Sequence, residues 1–119
     1  MKLNIAICDD DKNDCQKLHD FVQAYALNQD LPIRLTEFSN GEDFLSVHNQ
    51  EPFDIIFMDI YLTGMNGTDV IASCNSEALQ TVFTTTSREF AIEAFNLNAS
   101  HYLLKPITYE AIDEAMKRC

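Results

Sequence analysis

A doubly wound α/β sandwich built on a parallel five-stranded sheet is the fold this chain predicts, and three observations predict it. Short apolar runs alternate with stretches of helical periodicity along the whole length. The runs are continuously apolar rather than alternating, as strands covered on both faces must be. Three of them end in charged groups: Ile5-Ala6-Ile7-Cys8 meets Asp9, Asp10 and Asp11; Ile55-Ile56-Phe57-Met58 meets Asp59; and Tyr102-Leu103-Leu104 meets Lys105-Pro106.

The elements follow in order. Leu3–Cys8 is the first strand. Cys15, Leu18, Phe21, Val22 and Tyr25 recur at helical spacing and predict a helix over 12–27. Asn28-Gln29-Asp30 ends it, and Pro32 leads into a second strand over Ile33–Phe38. Ser39 stands three residues before Glu42, the spacing of a capping box, and is expected to start a short helix ending near Val47. After the Glu51-Pro52 loop comes a third strand over 53–58, the most apolar of the set. The turn cluster Thr63-Gly64-Met65-Asn66-Gly67 opens a helix over 68–74. Residues 81–85 are β-branched and aromatic, which predicts a fourth strand. Thr86 or Ser87 then caps a helix over 88–96, with Phe90, Ala91, Ala94 and Phe95 expected as its inner stripe. His101–Leu104 is the fifth strand. A last helix over 108–118 turns Tyr109, Ile112 and Met116 inward.

Right-handed crossovers place the helices on both faces of such a sheet. The flavodoxin-like strand order 2-1-3-4-5 sets the first and third strands together at the switch point, where open sheets keep their sites. Asp9 and Asp10 then lie beside Asp59.

The 119 residues suffice for one domain, 1–119, without linker or repeat. Eight Lys and Arg stand against 19 Asp and Glu, a net charge of −11. That surface repels DNA phosphates and anionic lipid, so this domain is expected to bind neither nucleic acid nor membrane directly. An apolar signal centre does not fit before the triple Asp, and a cytoplasmic location is expected. Cys8, Cys15, Cys74 and Cys119 form no CxxC pair, and His19, His48 and His101 are scattered; these groups are read as structural.

Two carboxylates about 5 Å apart repel by roughly 3 kcal/mol at an effective dielectric near 20. A third worsens the site, so it needs cations. Lys105 supplies one charge, and a hard divalent ion, Mg²⁺ or Mn²⁺, suits the oxygen ligands. Such a site seats a metal beside a carboxylate able to accept a phosphoryl group as an acyl phosphate. Thr85, ending the fourth strand, can donate its hydroxyl to a phosphoryl oxygen.

With these residues together, the chain resembles the receiver domain of bacterial two-component response regulators over its whole length. The pieces that carry the resemblance are IAICDDD, DIIFMDIYLTGMNG, the TT of FTTTS, and YLLKP. It implies that Asp59 accepts a phosphoryl group from a sensor histidine kinase, and that Asp9, Asp10, Asp59 and the backbone carbonyl of Tyr61 hold the metal. Thr85 is implied as the switch hydroxyl, Lys105 as its ion-pair partner after a cis bond to Pro106, and Tyr102 as the mobile aromatic. Tyr61 and Ser87 stand at the two positions that tune hydrolysis. A homodimer through the face of the fourth helix, fifth strand and fifth helix is also implied. The domain is then a phospho-acceptor switch rather than an enzyme.

IAICDDD with SREFAIEAF and YLLKPI is similar to the subfamily that regulates transcription through a LytTR-type DNA-binding domain. Within residues 1–119 no such output domain is expected: either it lies beyond them or the receiver stands alone. Thr63 replaces a proline common in the family, which is expected to loosen the loop after Asp59 without touching the chemistry. Two other readings stay open: an Asp-nucleophile phosphohydrolase, which normally carries an acid where Tyr61 stands, and a degenerate receiver that only binds other proteins. A nucleotide site fits poorly, since three aspartates replace the Gly-, Ser- or Thr-rich phosphate loop.

Overall fold

The structure, a computed structural model, describes residues 2–74 and 77–119. Five strands and five helices alternate: β1 (Leu3–Cys8), α1 (Lys12–Asn28), β2 (Ile33–Phe38), α2 (Gly41–Gln50), β3 (Ile55–Asp59), α3 (Gly67–Ser73), β4 (Gln80–Thr85), α4 (Ala91–Asn96), β5 (His101–Leu104) and α5 (Tyr109–Arg118). The strands are all parallel, in the order β2-β1-β3-β4-β5. This is the expected sheet.

Successive strand side chains point to opposite faces, which divides the core in two. Ile5, Ile7, Phe57 and Val82 face α1 and α5, packing on Leu18, Val22, Ile112 and Met116. Ala6, Cys8, Ile56, Met58 and Phe83 face the other helices, against Phe44, Val70, Ile71 and Ala94. β3 is buried at every position, which is why it carries the most apolar run.

β3 runs over Ile55–Asp59 rather than 53–58, and three helix expectations are corrected. The cap of α2 is Asn40, not Ser39: its Oδ1 accepts the Asp43 N–H at 2.8 Å, so the helix starts one residue later. That helix also runs past Val47 to Gln50, because Phe44 and His48, four residues apart, are both buried on one face. Their rings stack at 5.2 Å, and His48 Nδ1 accepts the Phe53 N–H at 3.1 Å.

The larger correction is at α4. Ser87 Oγ accepts the Glu89 N–H in a local turn, and the helix begins only at Ala91. Ala94 is buried and Phe90 half-buried, four residues apart. Ala91 and Phe95 sit one position round the helix, and Phe95 is 80% exposed. The inner stripe is therefore half the width expected.

Candidate functional site

The site is assembled at the carboxyl edge of the sheet by strand register. Cys8 pairs with Met58 across β1 and β3, Asp59 with Thr84 across β3 and β4, and Thr85 with Leu104 across β4 and β5. The residues that end these strands therefore come together. Gly67 helps fix the return from β3: its N–H donates to Ile60 C=O at 2.8 Å, and a Cβ there would collide with the Asp59 carbonyl oxygen.

The triple aspartate divides three ways. Asp9 is buried, with Oδ1 accepting the Asp11 N–H at 2.9 Å. Asp11 is the cap of α1, its Oδ1 accepting from the N–H groups of Asn13 and Asp14. Asp10 is exposed, and its Oδ2 accepts twice from Thr63: from N–H at 3.1 Å and from Oγ1 at 2.8 Å. Thr63 thus touches the acidic cluster directly, contrary to the expectation that it only loosens the loop. Asp9, Asp10 and Asp59 each offer a carboxylate oxygen within 4.8 Å of the others.

Lys105 enters from the end of β5, after a backbone bond from its N–H to Thr85 C=O at 2.7 Å. Its peptide bond to Pro106 is cis. The ammonium lies 3.0 Å from Asp9 Oδ2, 2.9 Å from Asp14 Oδ2 and 3.5 Å from Asp59 Oδ2, with the side chain only 11% exposed. Asp14 was not anticipated, because an acidic residue in a first helical turn is already accounted for by the helix dipole. Three carboxylates thus contact one ammonium, and Asp10 adds a fourth to the cluster.

The electrostatics follow first from the burial of these groups and then from their mutual contacts. Burial raises the Asp9 carboxyl to about 6; the Asp11 N–H and Lys105 pull against it, while Asp59 adds to it. Burial likewise raises Asp59, with Lys105 and the Tyr61 N–H opposing. For Lys105 burial alone would favour the neutral amine, but the hydrogen bonds to Asp14 and Asp9 outweigh it and hold the ammonium charged. Close carboxylate oxygens with residual negative charge form a hard donor set, suited to Mg²⁺ or Mn²⁺ rather than to a thiolate- or imidazole-seeking ion.

The outer residues sit on a second ring. Tyr61 N–H donates to Asp59 Oδ1 at 3.3 Å, its hydroxyl donates to Glu89 Oε2 at 2.9 Å, and its ring meets Phe90 edge-on at 5.5 Å. Thr85 is fully buried, and its Oγ1 accepts the Ser87 N–H at 3.2 Å rather than reaching a carboxylate. Tyr102 is half-buried and donates its hydroxyl to Ser87 C=O at 2.7 Å. Ser87 thereby joins Thr85 to Tyr102, a connection invisible in sequence because it uses main-chain atoms.

The family profile described as the response regulator receiver domain matches residues 5–117. The chain belongs to this family. Among curated relatives of this receiver domain, the sensory transduction protein LytT of Oceanobacillus iheyensis is 31% identical over 123 residues, covering 99% of this chain and 48% of that protein. The sensory transduction protein LytR of Staphylococcus epidermidis is 35% identical over 97 residues, covering 79% and 38% respectively. The receiver therefore spans about half or less of these relatives' length, and their LytT and LytR names support a LytTR-type placement. Among solved structures, the BeF3-activated DrrB receiver domain superposes with a TM-score of 0.81 at 28% identity, covering 99% of this chain and 97% of that one. The response regulatory domain of mrkE from Klebsiella pneumoniae gives 0.86 at 24% identity, covering 98% and 93%, a likeness of fold. Among the described residues, no helix is long and apolar enough to cross a membrane.

Proposed function

We propose that this receiver accepts a phosphoryl group on Asp59 from a sensor histidine kinase. The observation that carries the reading is the convergence of Asp9, Asp10, Asp59 and Lys105 on one cleft. A carboxylate oxygen of Asp59 attacks phosphorus, the bond to the donor imidazole breaks, and its electron pair leaves with the imidazole. Lys105 offsets charge on the transferred group as its contacts to Asp9 and Asp14 yield. Asp9, Asp10, Asp59 and the Tyr61 carbonyl would hold Mg²⁺ or Mn²⁺, which when bound neutralises the carboxylates and the phosphoryl oxygens.

Thr85 then donates its hydroxyl to the phosphoryl group, Ser87 loses its partner at Thr85, and Tyr102 turns inward, a shift between two packings. Tyr61 and Ser87 tune the lifetime of the acyl phosphate. A homodimer forms on the face of α4, β5 and α5; exposed Ile92, Phe95 and Leu104 on α4 and β5 favour it. The length of the LytT and LytR relatives supports a LytTR-type output domain outside residues 1–119, acting on transcription in the cytoplasm. A solved neighbour described as BeF3-activated favours the same chemistry here.

Intact-mass spectrometry after acetyl phosphate and Mg²⁺ tests this. The parent is expected to gain one phosphoryl group and Asp59→Asn none. An unmodified parent would favour a receiver that works by binding alone. Steady hydrolysis of a phosphomonoester would favour the phosphohydrolase, which the absence of an acid at Tyr61 argues against.

A further inference from the structure

Thr63 directs two donors onto a single oxygen of Asp10. A carboxylate oxygen has two lone-pair sites, so Oδ2 is fully engaged. Among the described residues no donor reaches Asp10 Oδ1. We infer that Thr63 is a positioning residue that fixes Asp10 as a one-oxygen ligand and thereby sets the choice of cation at the cleft. The inference rests on the reading of Asp9, Asp10 and Asp59 as a divalent-metal site.

The physical reasons are two. Asp10 is exposed, and a free exposed carboxylate must be ordered before it can ligate. Two hydrogen bonds from a neighbouring loop supply that order in advance, as outer partners of metal ligands commonly do. Mg²⁺ demands octahedral geometry and takes one oxygen from a carboxylate, whereas Ca²⁺ takes six to eight oxygens and accepts both oxygens of one carboxylate. With Oδ2 occupied by Thr63, one oxygen of Asp10 is left to ligate, which suits Mg²⁺ and withholds the second oxygen that Ca²⁺ would use. Proline at this position could supply neither the N–H nor the hydroxyl.

Calorimetric titration of the 119-residue chain with Mg²⁺ alone and Ca²⁺ alone tests this, comparing the parent with Thr63→Val, Thr63→Pro and Thr63→Ser. Thr63→Val keeps the N–H and loses the hydroxyl, and is expected to bind Mg²⁺ about threefold more weakly; Thr63→Pro loses both and is expected to fall about tenfold. Ca²⁺ affinity should fall less, because Oδ2 becomes free to ligate, so the preference for Mg²⁺ drops about threefold in Thr63→Pro. Thr63→Ser should match the parent. Unchanged affinities in Val and Pro, equal losses for both ions, or tighter Mg²⁺ binding would each overturn the role given to Thr63. A parent that binds neither ion, or an Asp10→Asn variant that binds Mg²⁺ as the parent does, would instead remove the metal reading and the inference with it.

Discussion

Tyr61 is held beside Asp59 by three separate attachments: its N–H on Asp59, its hydroxyl on Glu89 and its ring on Phe90. On the proposed function, a ring so held would shield an acyl phosphate at Asp59 from water. Tyr61→Gly is expected to shorten the phosphoryl half-life about tenfold while changing the rate of phosphorylation much less. Decay of the phosphoprotein after removal of the donor measures this, and equal half-lives in mutant and parent would refute it. Asp59, Asp10, Asp9 and Lys105 were recognisable in sequence because each follows an apolar run. Asp14 and Thr63 were not, since contact across a fold between short polar side chains leaves no periodic mark.

Among the elements, the sheet was the legible part. Continuous burial forces a continuous apolar run, and β2 and β5 have the ends the sequence predicts. α4 was not legible, because its six residues offer too few turns for a stripe to be phased, and the Ser87 turn delays its start. The junction between β3 and α3 depends on one absent side chain. A Cβ at Gly67 would collide with the Asp59 carbonyl oxygen and stand 2.8 Å from Met58 Cγ. Gly67→Ala is expected to cost about 2 kcal/mol, as overpacking against backbone does, read as a lower urea midpoint with unchanged slope. A midpoint equal to the parent's would mean that the loop gives way freely.

At the scale of the whole molecule, folding without metal concentrates carboxylates that repel one another. Asp9 moves from an ordinary 3.8 to about 6 on folding, chiefly by burial. The folded state therefore binds the Asp9 proton more tightly than the unfolded state. Stability from this group is complete below about pH 4 and is lost as the pH rises through about 6. Metal-free protein should consequently melt lower at about pH 8 than at about pH 5, and Asp9→Asn should flatten that difference. Thermal unfolding in a chelating buffer gives the comparison; identical pH profiles for the two proteins would exclude Asp9 as the source.

The Ser87 junction has a consequence for any attempt to map communication across this domain. The groups bonded to Thr85 and Tyr102 are the amide and carbonyl of Ser87, not its hydroxyl. Alanine scanning leaves both in place. Ser87→Ala therefore keeps both bonds and removes only the hydroxyl that accepts from Glu89, so it reports on the α4 turn and not on the link; Thr85→Val, Tyr102→Phe or an ester in place of the Ser87 amide would each sever one side of it.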